Sequence, residues 1–410
     1  MMKDSGTDDM ANIVFFCIPA YGHTNPTLGV VRELVSRGHE VHYYSFDQFK
    51  EAIEETGASY ISCDGYDLNL EVDEEQAERI GKDMILSTKL LVNSTLAMDA
   101  QLEEDMKRIK PDVIVADSVA YWGKLTAMKL GIPFVSSTTT FAFNKDSASI
   151  MKPTGKELVR MLLDIPKTRK LMKPLRDKGY PADNIISVVQ NDNDTETIVY
   201  TSKLFQPYAD SFSDHYHFVG PILKEPKAQI HKTRDKLIYI ALGTVDTRHP
   251  GFYRDCVEAF RDSDHQVIIA GGNKIDISQI GDVPDHIKIY TFVDQVAVLR
   301  KADAFITHCG MNSASEGLYN GVPLVLFPQT TEQGGVANRV EELGAGKRLE
   351  SGSPEAIRQA VDDILSNNHF RENAEKIAAS LRACTGAAGA ADAIENLIRL
   401  WTNRKTAIKQ

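Results

Sequence analysis

The sequence predicts an α/β protein built from two parallel-sheet domains. Three observations carry that reading. Strand-like apolar runs alternate with helical segments, the pattern of parallel strands joined by crossover helices. The alternation pauses at a polar stretch, Lys224–Asp235, and then restarts. Finally, 410 residues exceed what one hydrophobic core organises.

In the first half, Asn12–Ile18 is a continuous apolar run, suited to a strand buried on both faces. The next helix is marked at both ends: Asn25 suits the cap, Pro26 the first helical position and Gly38 the residue past the end. Val41–Ser45, Asp112–Asp117, Pro133–Ser137 and Thr197–Thr201 follow as strands. Gly65 to Lys110 reads as polar and helical. Ser147 to Tyr180 is also helical and carries Met151, Met161 and Met172, which suit a deformable pocket or an ordinary core equally. Phe218-Val219-Gly220-Pro221-Ile222 leads into the polar stretch. Beyond it, Leu237–Leu242, Gln266–Ala270, His286–Tyr290, Ala304–Thr307 and Leu324–Phe327 read as strands with helices between them. The last helix, Ala387–Leu400, is Ala-rich and then amphipathic. The expected organisation is a domain over 11–222, a linker over 223–235, a domain over 236–386, and a helical segment over 387–410 packing back towards the first domain.

Composition narrows the function. A net charge of −11 argues against nucleic acid held by clustered Lys and Arg. No apolar run approaches the roughly 20 residues of a membrane-spanning helix, so no membrane partner is expected. Met1–Met10 is polar and lacks the pattern of a signal peptide, reading as a tag remnant or lead-in. The five cysteines (Cys17, Cys63, Cys256, Cys309, Cys384) are dispersed, which reads as reduced thiols in the cytoplasm and neither a disulfide framework nor a zinc site.

The segment Thr307-His308-Cys309-Gly310-Met311-Asn312-Ser313-Ala314-Ser315-Glu316-Gly317 follows an apolar strand and opens a helix. Such a start attracts phosphate through its N–H groups and its dipole, and glycine lets an anion approach. Ile18-Pro19-Ala20-Tyr21-Gly22-His23-Thr24-Asn25-Pro26 repeats the strand-to-helix design near the N-terminus. In open α/β sheets ligands sit outside the carboxyl ends of the strands. His23, Asp117, Ser136–Thr140, Gly243-Thr244, Gly271-Gly272 and the His308 loop all lie there.

His23, at a helix start that disfavours imidazolium, is a candidate general base; the competing reading is a capping or packing histidine. Asp117 ends its strand and is either the carboxylate that orients an imidazole or a cap on the following helix. Ser313-x-x-Glu316 matches a capping box, and Gly310 and Asn312 have plain turn and cap explanations. His308 gains little from packing alone. Asp192-Asn193-Asp194 and Asp262-Ser263-Asp264 read as solvated loops, not metal sites. No Gly-x-Gly-x-x-Gly follows the first strand and no P-loop occurs, so neither a dinucleotide cofactor nor a P-loop nucleotide is expected.

The chain resembles the family-one, UDP-dependent glycosyltransferases of GT-B fold, and is most similar to the bacterial macrolide and flavonoid enzymes. The plant form of the family's donor signature begins Trp-x-x-Gln and continues His-Cys-Gly-Trp-Asn-Ser, Glu, Gly-Val-Pro and Asp-Gln. Here it reads Phe292-Val293-Asp294-Gln295, His308-Cys309-Gly310-Met311-Asn312-Ser313, Glu316, Gly321-Val322-Pro323 and Glu332-Gln333. Gly22-His23-Thr24-Asn25-Pro26 and the Asp117 strand end match as well. The resemblance implies two Rossmann-like domains facing across a cleft. Phe292 would stack on uracil and Gln295 would face its edge. His308, Gly310, Asn312 and Ser313 would hold the diphosphate, with Thr244 helping; Glu316 would bind the ribose; Glu332 and Gln333 would hold the sugar. His23 would be the base and Asp117 its partner.

The implied reaction is inverting transfer of a hexose, glucose, from UDP-glucose to a small aromatic or macrocyclic acceptor, giving a β-glycoside with no cofactor and no metal. Leu324, eight positions after Glu316, breaks the Glu-x7-Glu pattern of retaining relatives. Ser136, Ser137, Thr138 and Phe141 are offered as acceptor-pocket wall. Phe292 in place of Trp implies looser base selectivity, Met311 in place of an aromatic alters the floor of the phosphate site, and Glu332 in place of Asp lengthens the arm to the sugar. A nucleotide-sugar epimerase of the same fold and a non-catalytic nucleotide-sugar binder stay open as alternatives.

Overall fold

The computed structural model describes residues 10–66, 83–144, 155–189, 191, 193–243, 251–272 and 280–408. Thr244, Met151 and Asp192 lie outside the described residues, as do residues 1–9 and the side chain of Met161.

The chain forms two compact units. The first takes the residues through Tyr200, Tyr208–Ile222 and Thr385–Gln410; the second takes Thr201–Pro207 and Leu223–Cys384. Thr201–Pro207, expected in the first domain, groups with the second. The Arg339 guanidinium there donates to the Leu204 and Phe205 carbonyls at 2.7 and 3.1 Å, and Phe205 is fully buried.

The first unit runs β1 (Asn12–Phe16), α1 (Tyr21–Ser36), β2 (Glu40–Ser45), α2 (Lys50–Glu54), β3 (Ser59–Ser62), α3 (Met84–Ile109), β4 (Val113–Asp117), α4 (Tyr121–Leu130), β5 (Phe134–Thr138), α5 (Gly155–Leu171), α6 (Lys173–Asp177), α7 (Ile185–Val189), β6 (Thr197–Val199) and β7 (Tyr216–Phe218). Among the described residues its sheet is parallel throughout, in the order β3-β2-β1-β4-β5-β6-β7. Every residue of β4 is buried, as are four of the five in β1, which is why these strands read as unbroken apolar runs. On neighbouring strands Phe15 stacks on Tyr43 and Phe16 on Tyr44, at 5.6 and 4.7 Å between ring centroids. Successive residues point to opposite faces, so one aromatic pair stiffens each side of the sheet. Met172 joins a satellite core with Leu175 and Tyr180, which gives it the packing role and not the pocket one.

The second unit runs β8 (Leu237–Ala241), α8 (Phe252–Phe260), β9 (Gln266–Ala270), β10 (Ile287–Tyr290), α9 (Gln295–Leu299), β11 (Ala304–Thr307), α10 (Met311–Tyr319), β12 (Leu324–Leu326), α11 (Thr331–Glu342), β13 (Gly346–Arg348), α12 (Pro354–Ser366) and α13 (Asn368–Arg382). Its sheet is also parallel, in the order β10-β9-β8-β11-β12-β13. The last helix, α14 (Gly386–Ile408), returns to the first unit. Its Ala-rich start admits a close approach: Ala390, Ala391 and Ile394 are fully buried in the same core as Val30, Val31 and Leu34 of α1. Arg37 fixes the exposed side, its Nη1 donating to Asp392 and Glu395 at 2.7 and 2.8 Å.

The two sheets share one topological device. Strand order reverses between β1 and β4 in the first unit, and between β8 and β11 in the second. At such a switch point neighbouring crossovers leave in opposite directions and open a crevice at the strands' carboxyl ends. His23 and Asp117 follow β1 and end β4; Gly243 and His308 follow β8 and β11.

Candidate active site

In the first unit α1 begins at Tyr21, with Ala20 as its cap and no capping side chain. The Ala20 carbonyl accepts from the His23 and Thr24 N–H groups at 3.0 and 2.9 Å, so the helix opens directly off the end of β1. This corrects the expected start at Asn25 and Pro26, which lie inside the helix. His23 is therefore the third helical residue. Its Nδ1 lies 2.7 Å from Asp117 Oδ2, and the carboxylate is completely buried. The other Asp117 oxygen accepts from Val119 N–H at 3.0 Å. The cap reading of Asp117 does not hold, since Ala120 caps the following helix with no side-chain bond; one carboxylate oxygen shapes the turn before it and the other contacts the imidazole. With Nδ1 donating to a carboxylate, the basic lone pair of the neutral ring is on Nε2.

Thr139, just past β5, places its hydroxyl oxygen 3.1 Å from the same Nδ1. The strand residues before it are less available. Ser136 and Ser137 are each 1% exposed and the Ser137 hydroxyl meets that of Tyr200 at 3.1 Å. Thr138 and Phe141 are also buried. Ser136, Ser137 and Thr138, expected as acceptor-pocket wall, are thus buried along the interior strand β5 and its end.

In the second unit the His308 loop is tightly built. Cys309 is fully buried with φ of +66°, a left-handed conformation that a non-glycine residue rarely adopts. Gly310 caps α10 and Met311 begins it, so Ser313 is the third helical residue and not the cap; the expected Ser313–Glu316 capping box does not form. Ala314 N–H makes the first intrahelical bond, to the Gly310 carbonyl at 2.9 Å. The N–H groups of Met311, Asn312 and Ser313 stand ahead of it, at the positive end of the helix dipole. The His308 ring is gripped from both sides: a Cβ on Gly310 would sit 2.5 Å from Nε2, and one on Gly243 would sit 2.9 Å from the ring.

Glu316 has a different partner from the one expected. Gln295 Nε2 donates to Glu316 Oε2 at 2.6 Å, and the Gln295 carbonyl oxygen accepts from the Tyr239 hydroxyl at 3.0 Å. Burial raises the Glu316 carboxyl above its ordinary range, opposed by the Gln295 bond. The Gln295 side chain is thus anchored by Glu316 and Tyr239. Phe292 stands 59% exposed in the loop after β10, a large apolar ring held towards solvent. Glu332 is exposed on the first turn of α11. Gln333 forms the capping box found in this unit: its Oε1 accepts from Gln329 and Thr330 N–H at 2.7 and 3.2 Å, while Thr330 Oγ1 accepts from its backbone. Tyr239 escapes sequence reasoning, which places Thr139 and Gly243 at strand ends without a role. Thr139, Tyr239 and the contact of Gly243 with His308 each depend on a partner distant in the chain.

Comparison with known proteins places the chain in a family. Residues 254–397 match the family described as Erythromycin biosynthesis protein CIII-like, C-terminal domain. The chain is 36% identical over 397 residues to the NDP-glycosyltransferase YjiC of Bacillus licheniformis, covering 94% of this chain and 97% of that one. It is 31% identical to YojK of Bacillus subtilis, an uncharacterized UDP-glucosyltransferase, over 97% of this chain and 100% of the other. Among solved structures, the glycosyltransferase of kitacinnamycin superposes with a TM-score of 0.82 at 29% identity, covering 95% of this chain and 99% of that one. No described helix is long and apolar enough to cross a membrane. With its two parallel-sheet units, each carrying its polar loops at a switch point, the chain belongs to the nucleotide-sugar-dependent glycosyltransferases of GT-B fold.

Proposed function

We propose that this chain transfers glucose from UDP-glucose to a hydroxyl of a small hydrophobic acceptor, a flavonoid, another phenolic or a macrolide, with inversion at the anomeric carbon. The observation that carries the reading is the 2.7 Å contact of His23 Nδ1 with Asp117. His23 Nε2 takes the acceptor's hydroxyl proton as that oxygen bonds to the anomeric carbon. The bond from that carbon to the diphosphate breaks, and its electrons leave with UDP. Asp117 stabilises the imidazolium that forms. The N–H groups at the start of α10 and the His308 ring meet the charge growing on the leaving diphosphate, so no metal is required.

Phe292 offers an exposed ring for the nucleobase, and Glu316 a carboxylate for the ribose. Glu332 and the Gln333 amide nitrogen serve the sugar hydroxyls. Glucose and UDP are favoured by the resemblance of the donor signature and by the name of the Bacillus subtilis relative. Macrolide acceptors are favoured by the erythromycin-related family match.

The test is incubation with UDP-glucose and a panel of flavonoids and macrolides, read by mass spectrometry. A glycoside plus UDP supports transfer. An epimerised sugar nucleotide, or an unchanged one, overturns it in favour of an epimerase or a binder. His23→Ala should slow transfer to aliphatic alcohols roughly 100-fold or more. An undiminished rate refutes the base assignment.

A further inference from the structure

Two oxygens converge on one nitrogen of His23. Asp117 Oδ2 lies 2.7 Å from Nδ1, and Thr139 Oγ1 lies 3.1 Å from it. A carboxylate only accepts, so its short contact places the proton on Nδ1. The threonine oxygen then faces the same N–H and takes a share of it. Thr139 is 3% exposed and sits immediately beyond β5, on the strand next to the one that ends in Asp117. The two acceptors therefore come from neighbouring strands and fix the ring from two directions.

The position of His23 gives this second acceptor a purpose. As the third residue of α1, the imidazole lies where the helix dipole opposes positive charge. An N–H on imidazolium is a stronger donor than one on neutral imidazole, so an oxygen facing Nδ1 favours the protonated ring. We propose that Thr139 is a positioning residue for His23, holding it in the base-competent tautomer and raising its proton affinity against the α1 dipole. The inference rests on the reading of His23 as the base.

The surrounding groups leave this effect legible. Just past β1, Cys17 is raised far above the thiol range by burial and by Asp117. Tyr43 on β2 and Tyr200 after β6 are raised by burial, and Tyr121 on α4 is pushed up to about 12 by burial and then by Asp117. These groups stay neutral through the neutral range. The Asp117 carboxylate contacts the ring at Nδ1.

The experiment compares wild type with Thr139→Val, Thr139→Ser and His23→Ala. In Thr139→Val the acidic limb of the kcat/KM profile should move to lower pH, and kcat should fall roughly 3- to 10-fold, with KM for both substrates little changed. Thr139→Ser keeps the oxygen and should keep the wild-type limb. An NMR titration of the His23 ring should show a lowered pKa in Thr139→Val and not in Thr139→Ser, without recourse to turnover. A wild-type limb and ring pKa in Thr139→Val, with His23→Ala inactive, overturns this inference alone. His23→Ala at the wild-type rate overturns the base reading and this inference with it.

Discussion

Replacing Gly310 by alanine isolates the His308 ring from everything around it. The Gly310 backbone, at φ −59° and ψ 138°, is ordinary for an L-residue, so alanine brings no backbone strain. Its Cβ would lie 2.5 Å from His308 Nε2, closer than unbonded atoms tolerate. Gly243 flanks the ring as well, since a Cβ built there would lie 2.9 Å from it, so little room is open on that side. The imidazole must therefore rotate out of its slot, and the fold is spared. If that ring holds the donor diphosphate, one charge-assisted hydrogen bond is lost, worth about 1.5–3 kcal/mol, or roughly 10- to 150-fold in affinity. Calorimetric titration of UDP into Gly310→Ala measures this directly, with a thermal melt as control. The expected result is much weaker UDP binding at a nearly unchanged Tm. Wild-type affinity refutes the placement of His308 on the diphosphate. A collapse in Tm refutes the argument that the ring, and not the fold, gives way.

Other expectations follow from the same geometry. Burial raises the Glu316 carboxyl, so the native state holds that proton more tightly than the unfolded chain does. The group's stabilisation is complete below the ordinary carboxylate range and is lost as pH rises through the folded value. Glu316→Gln escapes that loss: without nucleotide its Tm should match wild type in acid and exceed it near neutrality, and a constant difference across pH refutes the assignment. At the α1–α14 contact, Ile394→Ala should cost about 2–5 kcal/mol by cavity formation. Arg37→Ala, which removes partly exposed ion pairs, should cost about 1 kcal/mol or less per pair. Denaturant titration decides, and the reverse order refutes the view that packing, not charge, holds the helix.

The central strands were legible because burial on both faces leaves an unbroken apolar run. Ile13, Val14, Phe15 and Phe16, or Ala304–Thr307, have nowhere polar to point. The edge strands β3, β7 and β13, short and partly exposed, carry no such run and were not legible, whereas the edge strand β10 was read from its alternating Ile287 and Ile289. Helix starts misled for a related reason. Asn25-Pro26 and Ser313-x-x-Glu316 are sound local capping signals, yet both helices begin earlier, at Tyr21 and Met311, where the chain leaves a strand at the switch point. Tertiary position overrode propensity there. The pairing of His23 with Asp117 was a matter of type and place in the sequence, while their contact came from β1 and β4 being neighbours. Thr139 was placed at a strand end but given no role, and Tyr239 gave no signal, because a lone hydroxyl acquires meaning only from what the fold brings beside it.

The return of Thr385–Gln410 to the first unit limits how such enzymes can be recombined. A chimaera that joins this N-terminal half to a foreign C-terminal half at one junction near Ile222 would import a stranger's last helix. That helix would have to replace Ala390, Ala391 and Ile394 against Val30, Val31 and Leu34, and Arg37 would lose Asp392 and Glu395. Exchange of the second unit therefore calls for cuts after Ile222 and after Cys384. The loop carrying Leu204 and Phe205 should travel with it, since Arg339 reads its carbonyls.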